Sequence, residues 1–296
     1  MPTWATIGNF DGVHSGHQAL IIALIKQARA NGIRSALITF SPHPHFILSN
    51  KFEPYLLSTS SEKLQILNEF DLDLIVDIPF TREFAQQSGE SFLNKLNTSL
   101  GLEGLVIGKA LSLGYDRLGK LKPLQPVLER LGIQLMETEA LRMGQTIISS
   151  GLIRDALTYG KLEDVLHYLG RAYQISGKVI YGKERGASFG LPTANLAHDP
   201  LKLLPGNGVY ACRAWVEGRP YDAVTNVGVR PTFESDGEPN IEAHLFDFDG
   251  NIYGKNLTLS FISKIRDEIR FENPGLLIIQ ISKDKKEARR ILKHAS

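Results

Sequence analysis

Two histidines, His14 and His17, bracket Ser15-Gly16 at the end of Gly8-Asn9-Phe10-Asp11-Gly12-Val13-His14-Ser15-Gly16-His17. Small residues let the backbone approach a ligand, and free N–H groups at a helix start point at it, a phosphate-binding geometry. Imidazoles placed there can donate to phosphate oxygens as charge builds on them. A second set of chemistry-bearing residues lies far along the chain. Thr193 and Asn195 follow the glycine-rich Gly182-Lys183-Glu184-Arg185-Gly186-Ala187-Ser188-Phe189-Gly190-Leu191-Pro192. They are neutral oxygen donors of the kind Mg²⁺ accepts beside phosphates, and glycines before them suit a backbone cradle. The stretch has no Gly-Lys-Thr/Ser and so is not a Walker A loop. Further on, Glu242 shares one face of an alternating run, Ile241 to Phe248, with His244, Phe246 and Phe248. A carboxylate on such a face is either paired or functional. Finally, Ser149 and Ser150 can cap a helix running to about Tyr159, near whose start Arg154 could grip phosphates bidentately.

The elements that must position these groups follow from hydrophobic pattern. Trp4 to Ile7 reads as a strand entering the histidine turn, and Ala19 to Ile25 as an apolar helix leaving it. Strands are expected at Ser35–Phe40, Leu74–Ile78, Gly104–Gly108 and Ile133–Met136. Helices are expected from a Thr59/Glu62 capping box to about Phe70, over Ser91–Leu100, and over Pro123–Leu131. Such alternation predicts a mainly parallel sheet covered on both faces, with ligands beyond the strand C-termini near the order switch. Ser41-Pro42-His43-Pro44-His45 lies at such an end, where its prolines argue against a helix or interior strand. It should face the same cleft as the histidine turn.

Lys161 to Leu169 reads as a short helix closed by Gly170, after which the pattern changes. From Gln174 onward short strands alternate with turn signals, including hairpin candidates at Glu217-Gly218 and Asp249-Gly250. An antiparallel barrel is expected, with a covering helix over Leu276–Leu292. The expected organisation is 1–160, a helical linker over 161–173, and 174–296.

Composition sets the outer bounds. The 296 residues carry a net charge of +1, 43% hydrophobic and 22% charged residues, ordinary for a globular protein. No field argues for nucleic acid or a membrane surface. One cysteine, Cys212, forbids an internal disulfide and reads as a packed thiol. The N-terminus lacks the pattern of a signal peptide and no apolar run is long enough to span a bilayer, so a cytoplasmic location is expected.

The histidine turn resembles the HxGH signature of nucleotidyltransferases. With Ser41-Pro42-His43-Pro44, Leu57 to Lys63, Pro79 to Ala85 and Ile148-Ser149-Ser150-Gly151-Leu152-Ile153-Arg154, the first half resembles the bacterial bifunctional riboflavin kinase/FMN adenylyltransferases. The second half continues the resemblance through Phe189-Gly190-Leu191-Pro192-Thr193-Ala194-Asn195, Asn226 to Thr232, the Glu242 strand and Arg266 to Phe271. The resemblance implies a Rossmann-like α/β nucleotidyltransferase domain followed by a six-stranded barrel with a C-terminal helix. It implies two reactions: phosphorylation of riboflavin by ATP to FMN, and adenylyl transfer from ATP to FMN giving FAD and pyrophosphate. It gives Glu242 the role of base towards the riboflavin 5′-hydroxyl, and His14, His17 and Arg154 that of transition-state stabilisers. Thr193 and Asn195 would hold Mg²⁺. Binding of nucleotide and flavin would fall to Gly8, Phe10, Asp11, Gly16, His43, Ser149 and Ser150 in the first half. In the second it would fall to Gly190, Pro192, Asn226 and Arg266. Small molecules are the implied partners of a monomer or weak homo-oligomer.

Two departures stand out. Where the family has Asp-Phe-x-Phe-Gly, this chain reads Lys109-Ala110-Leu111-Ser112-Leu113-Gly114, and Ala187 replaces a basic residue. The first departure leaves open a riboflavin kinase whose first domain binds nucleotide without adenylylating. A non-enzymatic flavin-binding regulator is the alternative of another class.

Overall fold

A computed structural model describes residues 1–108, 124–181, 192–229 and 239–294. By contacts the chain divides into two compact units, Met1–Ser150 and Gly151–Ser296. The expected boundaries at 160 and 173 fall later in the chain than this division.

The first unit contains β1 (Thr3–Ile7), a single 3₁₀ turn (Asp11–Val13), α1 (Ser15–Ala30), β2 (Arg34–Ser41), α2 (Pro44–Ser49) and α3 (Ser60–Leu67). It continues with β3 (Leu74–Pro79), α4 (Arg82–Ala85), α5 (Gly89–Leu100), β4 (Leu102–Gly108), α6 (Gln125–Leu131), β5 (Gln134–Thr138) and a small hairpin, β6 (Arg142–Met143) with β7 (Thr146–Ile147). The five main strands pair in the order β3-β2-β1-β4-β5, every pair parallel. The order reverses between β1 and β4, and sheets of this kind take their ligands at such a switch point, here where β1 ends and the histidine turn begins.

Strand alternation divides the core between the two faces. Trp4 and Val106 pack with Leu24 and Ala28 of α1, and Leu37 packs with Ile21 and, from α3, Leu67. Ala5, Ile7, Ile38, Leu105 and Ile107 pack the other way, against Phe92, Leu93 and Leu96 of α5 and Leu128 of α6. The Thr59/Glu62 capping box is present, with the Thr59 hydroxyl accepting from the Glu62 amide at 3.2 Å and the Glu62 carboxylate accepting from the Thr59 amide at 2.9 Å. One expectation fails: the proline loop does contain a helix. Pro44 is the first residue of α2, where a missing N–H and a fixed φ are no handicap.

The second unit comprises α7 (which starts at Ser150, the last residue of the first unit, and ends at Thr158), α8 (Leu162–Leu169), β8 (Tyr173–Ile180), β9 (Ala194–Ala197), β10 (Gly208–Val216), β11 (Arg219–Val229), β12 (Pro239–Leu245), β13 (Asn256–Arg266) and α9 (Pro274–His294). The six strands close into a barrel in the order β10-β11-β12-β9-β8-β13. The helix α8 packs on β8 and β13, and α9 lies over β10, β11 and β13. Beneath α9, Val209, Ala211 and Val224 meet Ala288 and Leu292.

Glu217-Gly218 makes the expected hairpin, both residues at positive φ (49° and 79°), between β10 and β11. Asp249-Gly250 does not, because β12 and β13 are not neighbours in the barrel. The alternation expected to Phe248 stops at Leu245. A turn follows, with Asp247 at φ 55°, and Phe248 packs edge-on against Tyr221 at 5.1 Å. The expected features at Lys109–Leu113, Gly182–Gly190 and Arg230–Thr232 lie outside the described residues.

Candidate functional sites

In the first unit the turn after β1 is held from several sides. The Gly8 amide donates to Ile38 O at 3.0 Å, and the Thr39 hydroxyl donates to Asn9 O at 3.1 Å. Asp11 is 3% exposed. Its Oδ1 accepts from the amides of Leu57 and Ser58, each at 3.0 Å, and the Ser58 hydroxyl accepts from the Gly12 amide at 2.9 Å. Among the residues expected to bind ligand, Asp11 thus has its carboxylate directed into a loop of its own unit. The Ser150 hydroxyl donates to Asp11 O at 3.1 Å, while Ser149 is exposed.

His14 caps α1: its Nδ1 accepts from the His17 amide at 3.3 Å. An accepting Nδ1 in a neutral ring puts the proton on Nε2, so the capping bond itself leaves a donor on the other side of the ring. The His17 ring stacks on His14 with centroids 3.6 Å apart and planes at 18°, and Phe10 leans on it at 5.1 Å. A Cβ on Gly16 would come within 3.1 Å of the His14 ring, so the glycine between the histidines is what lets that ring lie there. Burial, and then the neighbouring His14, hold the His17 pKa well below the usual imidazole value. His17 is therefore neutral at pH 7, and its Nδ1 is buried with no hydrogen-bond partner.

His43 follows the C-terminal end of β2, at the same end of the sheet as the histidine turn, and its Nδ1 accepts from the His45 amide at 3.1 Å. Sequence reasoning missed Lys63. This buried α3 side chain donates to the Thr39 hydroxyl at 2.8 Å and to Phe40 O at 3.1 Å, supporting the hydroxyl that holds Asn9. Its pKa is lowered by burial, with Asp77 and Asp11 opposing. A lysine on the inner face of a short capped helix was the available signal. Arg154 is half-buried on α7, four residues into the second unit.

In the second unit the barrel register builds the site. Glu242 of β12 pairs with Asn226 of β11 on one side and Asn195 of β9 on the other. Asn226 pairs in turn with Val209 of β10, and Val209 with Arg266 of β13. Registered partners share a face. Two expected binding residues, an expected metal donor and the expected base therefore belong to one lateral row. A cavity of about 320 Å³ opens on it, lined by Thr193, Asn226, Glu242, His244, Arg266 and Glu268, with Ile269, Phe271, Leu277 and Ile281 as its apolar wall.

Glu242 Oε1 accepts from Asn240 Nδ2 at 2.7 Å. Asn195 is buried and Pro192 is exposed. Arg266 is not a loose guanidinium. It bonds the buried Asp284 of α9 through Nε at 3.0 Å and Nη2 at 2.7 Å, and Gln280 donates to the same carboxylate at 2.9 Å. Asp284 and His244 were not foreseen as site residues. Cys212 is buried inside the barrel, which pushes its thiol up to about 12, as expected of a packed and inert group.

The donor set suits Mg²⁺. Thr193 and Asn195 carry neutral side-chain oxygens, Asn195 in register with Glu242 and Thr193 on the same cavity, hard donors of the kind a phosphate-bound Mg²⁺ would accept beside substrate oxygens. Among the described residues no group of three or more His, Cys, Asp or Glu is arranged to hold a metal.

Comparison with known proteins agrees with both halves. The family model for FAD synthetase matches residues 1–152, and that for riboflavin kinase matches 169–292. A bifunctional riboflavin kinase/FMN adenylyltransferase from Buchnera aphidicola is 36% identical over 284 residues, covering 94% of this chain and 90% of that protein. The Bacillus subtilis protein of that name is 34% identical over 286 residues (95% and 90%), and the Escherichia coli K12 one 34% over 288 (96% and 91%). A crystal structure from Streptococcus pneumoniae, described as a macrolide-efflux protein, superimposes with a TM-score of 0.87 at 26% identity, covering 97% of this chain and 94% of that one. Among the described residues no helix is long and apolar enough to cross a membrane. With both family models matched in order and relatives above 30% identity along nearly its whole length, the chain belongs to the bifunctional riboflavin kinase/FMN adenylyltransferase family.

Proposed function

We propose that the chain makes FMN from riboflavin in its second unit and FAD from FMN in its first, with ATP as the other substrate of each reaction. The observation that supports this best is that each unit carries its own constellation: a carboxylate row on a cavity, and a stacked imidazole pair at a helix start.

In the kinase reaction Glu242 accepts the proton of the riboflavin 5′-hydroxyl. The oxygen then bonds to the ATP γ-phosphorus as the bond to the β-phosphate oxygen breaks, and ADP leaves. Thr193 and Asn195 would hold Mg²⁺, which neutralises phosphate charge when bound. Positioning and charge do most of the remaining work. The apolar wall of Ile269, Phe271, Leu277 and Ile281 suits a flat flavin ring, with Asn226 at its polar edge. Arg266 serves by fixing Asp284 and hence α9, a positioning role.

In the adenylyl transfer an FMN phosphate oxygen attacks the ATP α-phosphorus and pyrophosphate leaves. That phosphate is already ionised, so no base is needed and catalysis is electrostatic. The Nε2–H of His14 and an N–H of His17 donate to the pentavalent centre's oxygens. Neutral imidazoles suffice for donation, in keeping with the low pKa of His17. Gly8, Phe10 and Gly16 shape the turn, Asp11 holds it, and His43, Ser149 and Ser150 contact nucleotide or flavin. Arg154 keeps the phosphate grip that its motif suggests. Gly190 and Pro192 would flank the kinase phosphates. We place the enzyme in the cytoplasm, as a monomer or weak homo-oligomer without a nucleic-acid partner.

The test is direct. The purified chain is given riboflavin, ATP and Mg²⁺, and separately FMN, ATP and Mg²⁺, and products are separated by chromatography. FMN in the first reaction and FAD in the second are expected. Absence of FAD in the second, with FMN made in the first, would remove the adenylyl half of the proposal and leave a kinase.

A further inference from the structure

We infer that His244 is a positioning residue of the kinase reaction, pinning the segment that carries Thr193 to the strand that carries Glu242. The inference rests on the roles proposed above for those two residues.

The β9–β12 ladder has two registered pairs, Glu242↔Asn195 and Ala243↔Ala194. Thr193 and Pro192 precede β9 and stand outside it. Continuing the register, Thr193 would stand opposite His244. Instead of a further strand pair, the side chain of His244 bridges the step: its Nδ1 lies 2.9 Å from Pro192 O. A carbonyl oxygen only accepts, so Nδ1 must carry the proton, whether the ring is neutral or charged. Proline has no N–H to offer a ladder, which leaves its carbonyl as the backbone group available there.

Thr193 is thus held on both sides, by Ala194 within the ladder and by Pro192 through the His244 bond. His244 is half-buried, and its ring meets Phe246 edge-on at 5.8 Å, a contact that supports the ring in the orientation that bonds Pro192 O. Both His244 and Thr193 line the cavity beside Glu242. A ring serving only as core filler would not need a donor aimed at this one carbonyl. Freed from it, Thr193 would remain in the chain but lose a fixed position relative to Asn195.

The experiment uses the full chain with riboflavin, ATP and Mg²⁺. His244→Leu is expected to raise the KM for MgATP about 3- to 10-fold, the range of one lost hydrogen bond. The KM for riboflavin should move less than about twofold on the same scale. His244→Asn, whose Nδ2 can replace Nδ1, should return the MgATP value to near wild type, whereas His244→Gln, with its amide one methylene further out, should not. In a Thr193→Val background the effect of His244→Leu should vanish, as for residues acting through one another. An unchanged KM for MgATP in His244→Leu, or equal values for Asn and Gln, would overturn the inference. Equal rises for riboflavin and MgATP would also overturn it, making His244 a flavin contact. If His244→Leu does not fold, the Asn and Gln pair still decides. The site reading is judged separately: wild-type KM for MgATP in Thr193→Val would refute the role of Thr193 whatever His244 does.

Discussion

The two sites hold their reactive groups by opposite means. In the first unit, His14 and His17 come from one turn, and the precision is local: a cap, a stacked ring, a glycine under it, and an aspartate tied to the next loop. In the second, Glu242, Asn226, Asn195 and Arg266 come from four strands, and what aligns them is hydrogen-bond register. A local site tolerates change elsewhere in its sheet but little within its few residues. A register site draws on the whole barrel, so distant packing can disturb it, while each contributor sits on an ordinary strand.

The sharpest way to break this comparison is to show that the sites are not independent. Glu242→Gln keeps an oxygen to accept from Asn240 but cannot take a proton, so FMN formation should fall by about 10²–10⁴. FAD formation from supplied FMN should be unchanged in the same chromatographic assay. Conversely, His17→Ala should lower FAD formation by about 10²–10³ and spare FMN formation. Loss of both activities in either variant would contradict two sites. The dependence of the register site on the helix packed over it can be sharpened with Arg266→Leu. This leaves Asp284 buried without its cation, costing about 3 kcal/mol or more in a urea unfolding midpoint. Adding Asp284→Leu should recover most of the loss, and failure to recover would mean that the pair itself is needed. The smallest effect belongs to the local site. Because burial holds the folded His17 pKa below the ordinary imidazole value of about 6.5, the unfolded chain binds a proton near that pH that the folded chain does not. Stability should fall as pH drops from 7 to 5.5, by no more than about 1.4 kcal/mol per unit from this group, and should be insensitive to it above pH 7. His17→Gln should show a smaller drop in midpoint over that interval, and an identical drop would exclude the burial penalty.

What could be read from sequence follows the same division. The histidine turn, the Thr59 capping box and the alternation of strands and helices are local patterns, and they appear in the structure at the residues expected. Pro44 was misjudged because a proline excludes a helix interior but suits its first residue. Asp249-Gly250 was misjudged because a turn signal does not say whether the strands beside it are neighbours. Asp11 was visible as a residue of the turn, but its partners, Leu57 and Ser58, come from a later loop. The same holds for Asp284 as the counter-ion of Arg266, and for His244 as the partner of Pro192. Nothing in periodicity specifies which helix residue a strand arginine meets. Such pairings are decided only when the barrel closes and α9 settles on it.

Closure of that barrel carries a further consequence. An open sheet can let an outer strand slide, but a ring of paired strands has no outermost member to yield. If β12 slipped by one position, Ile241 or Ala243 would be delivered where Glu242 now stands, and the carboxylate would turn into the barrel lumen. Extra residues should therefore be absorbed by the connections between strands and rejected inside β12. The chemistry is insured against error by the same geometry that seals the fold.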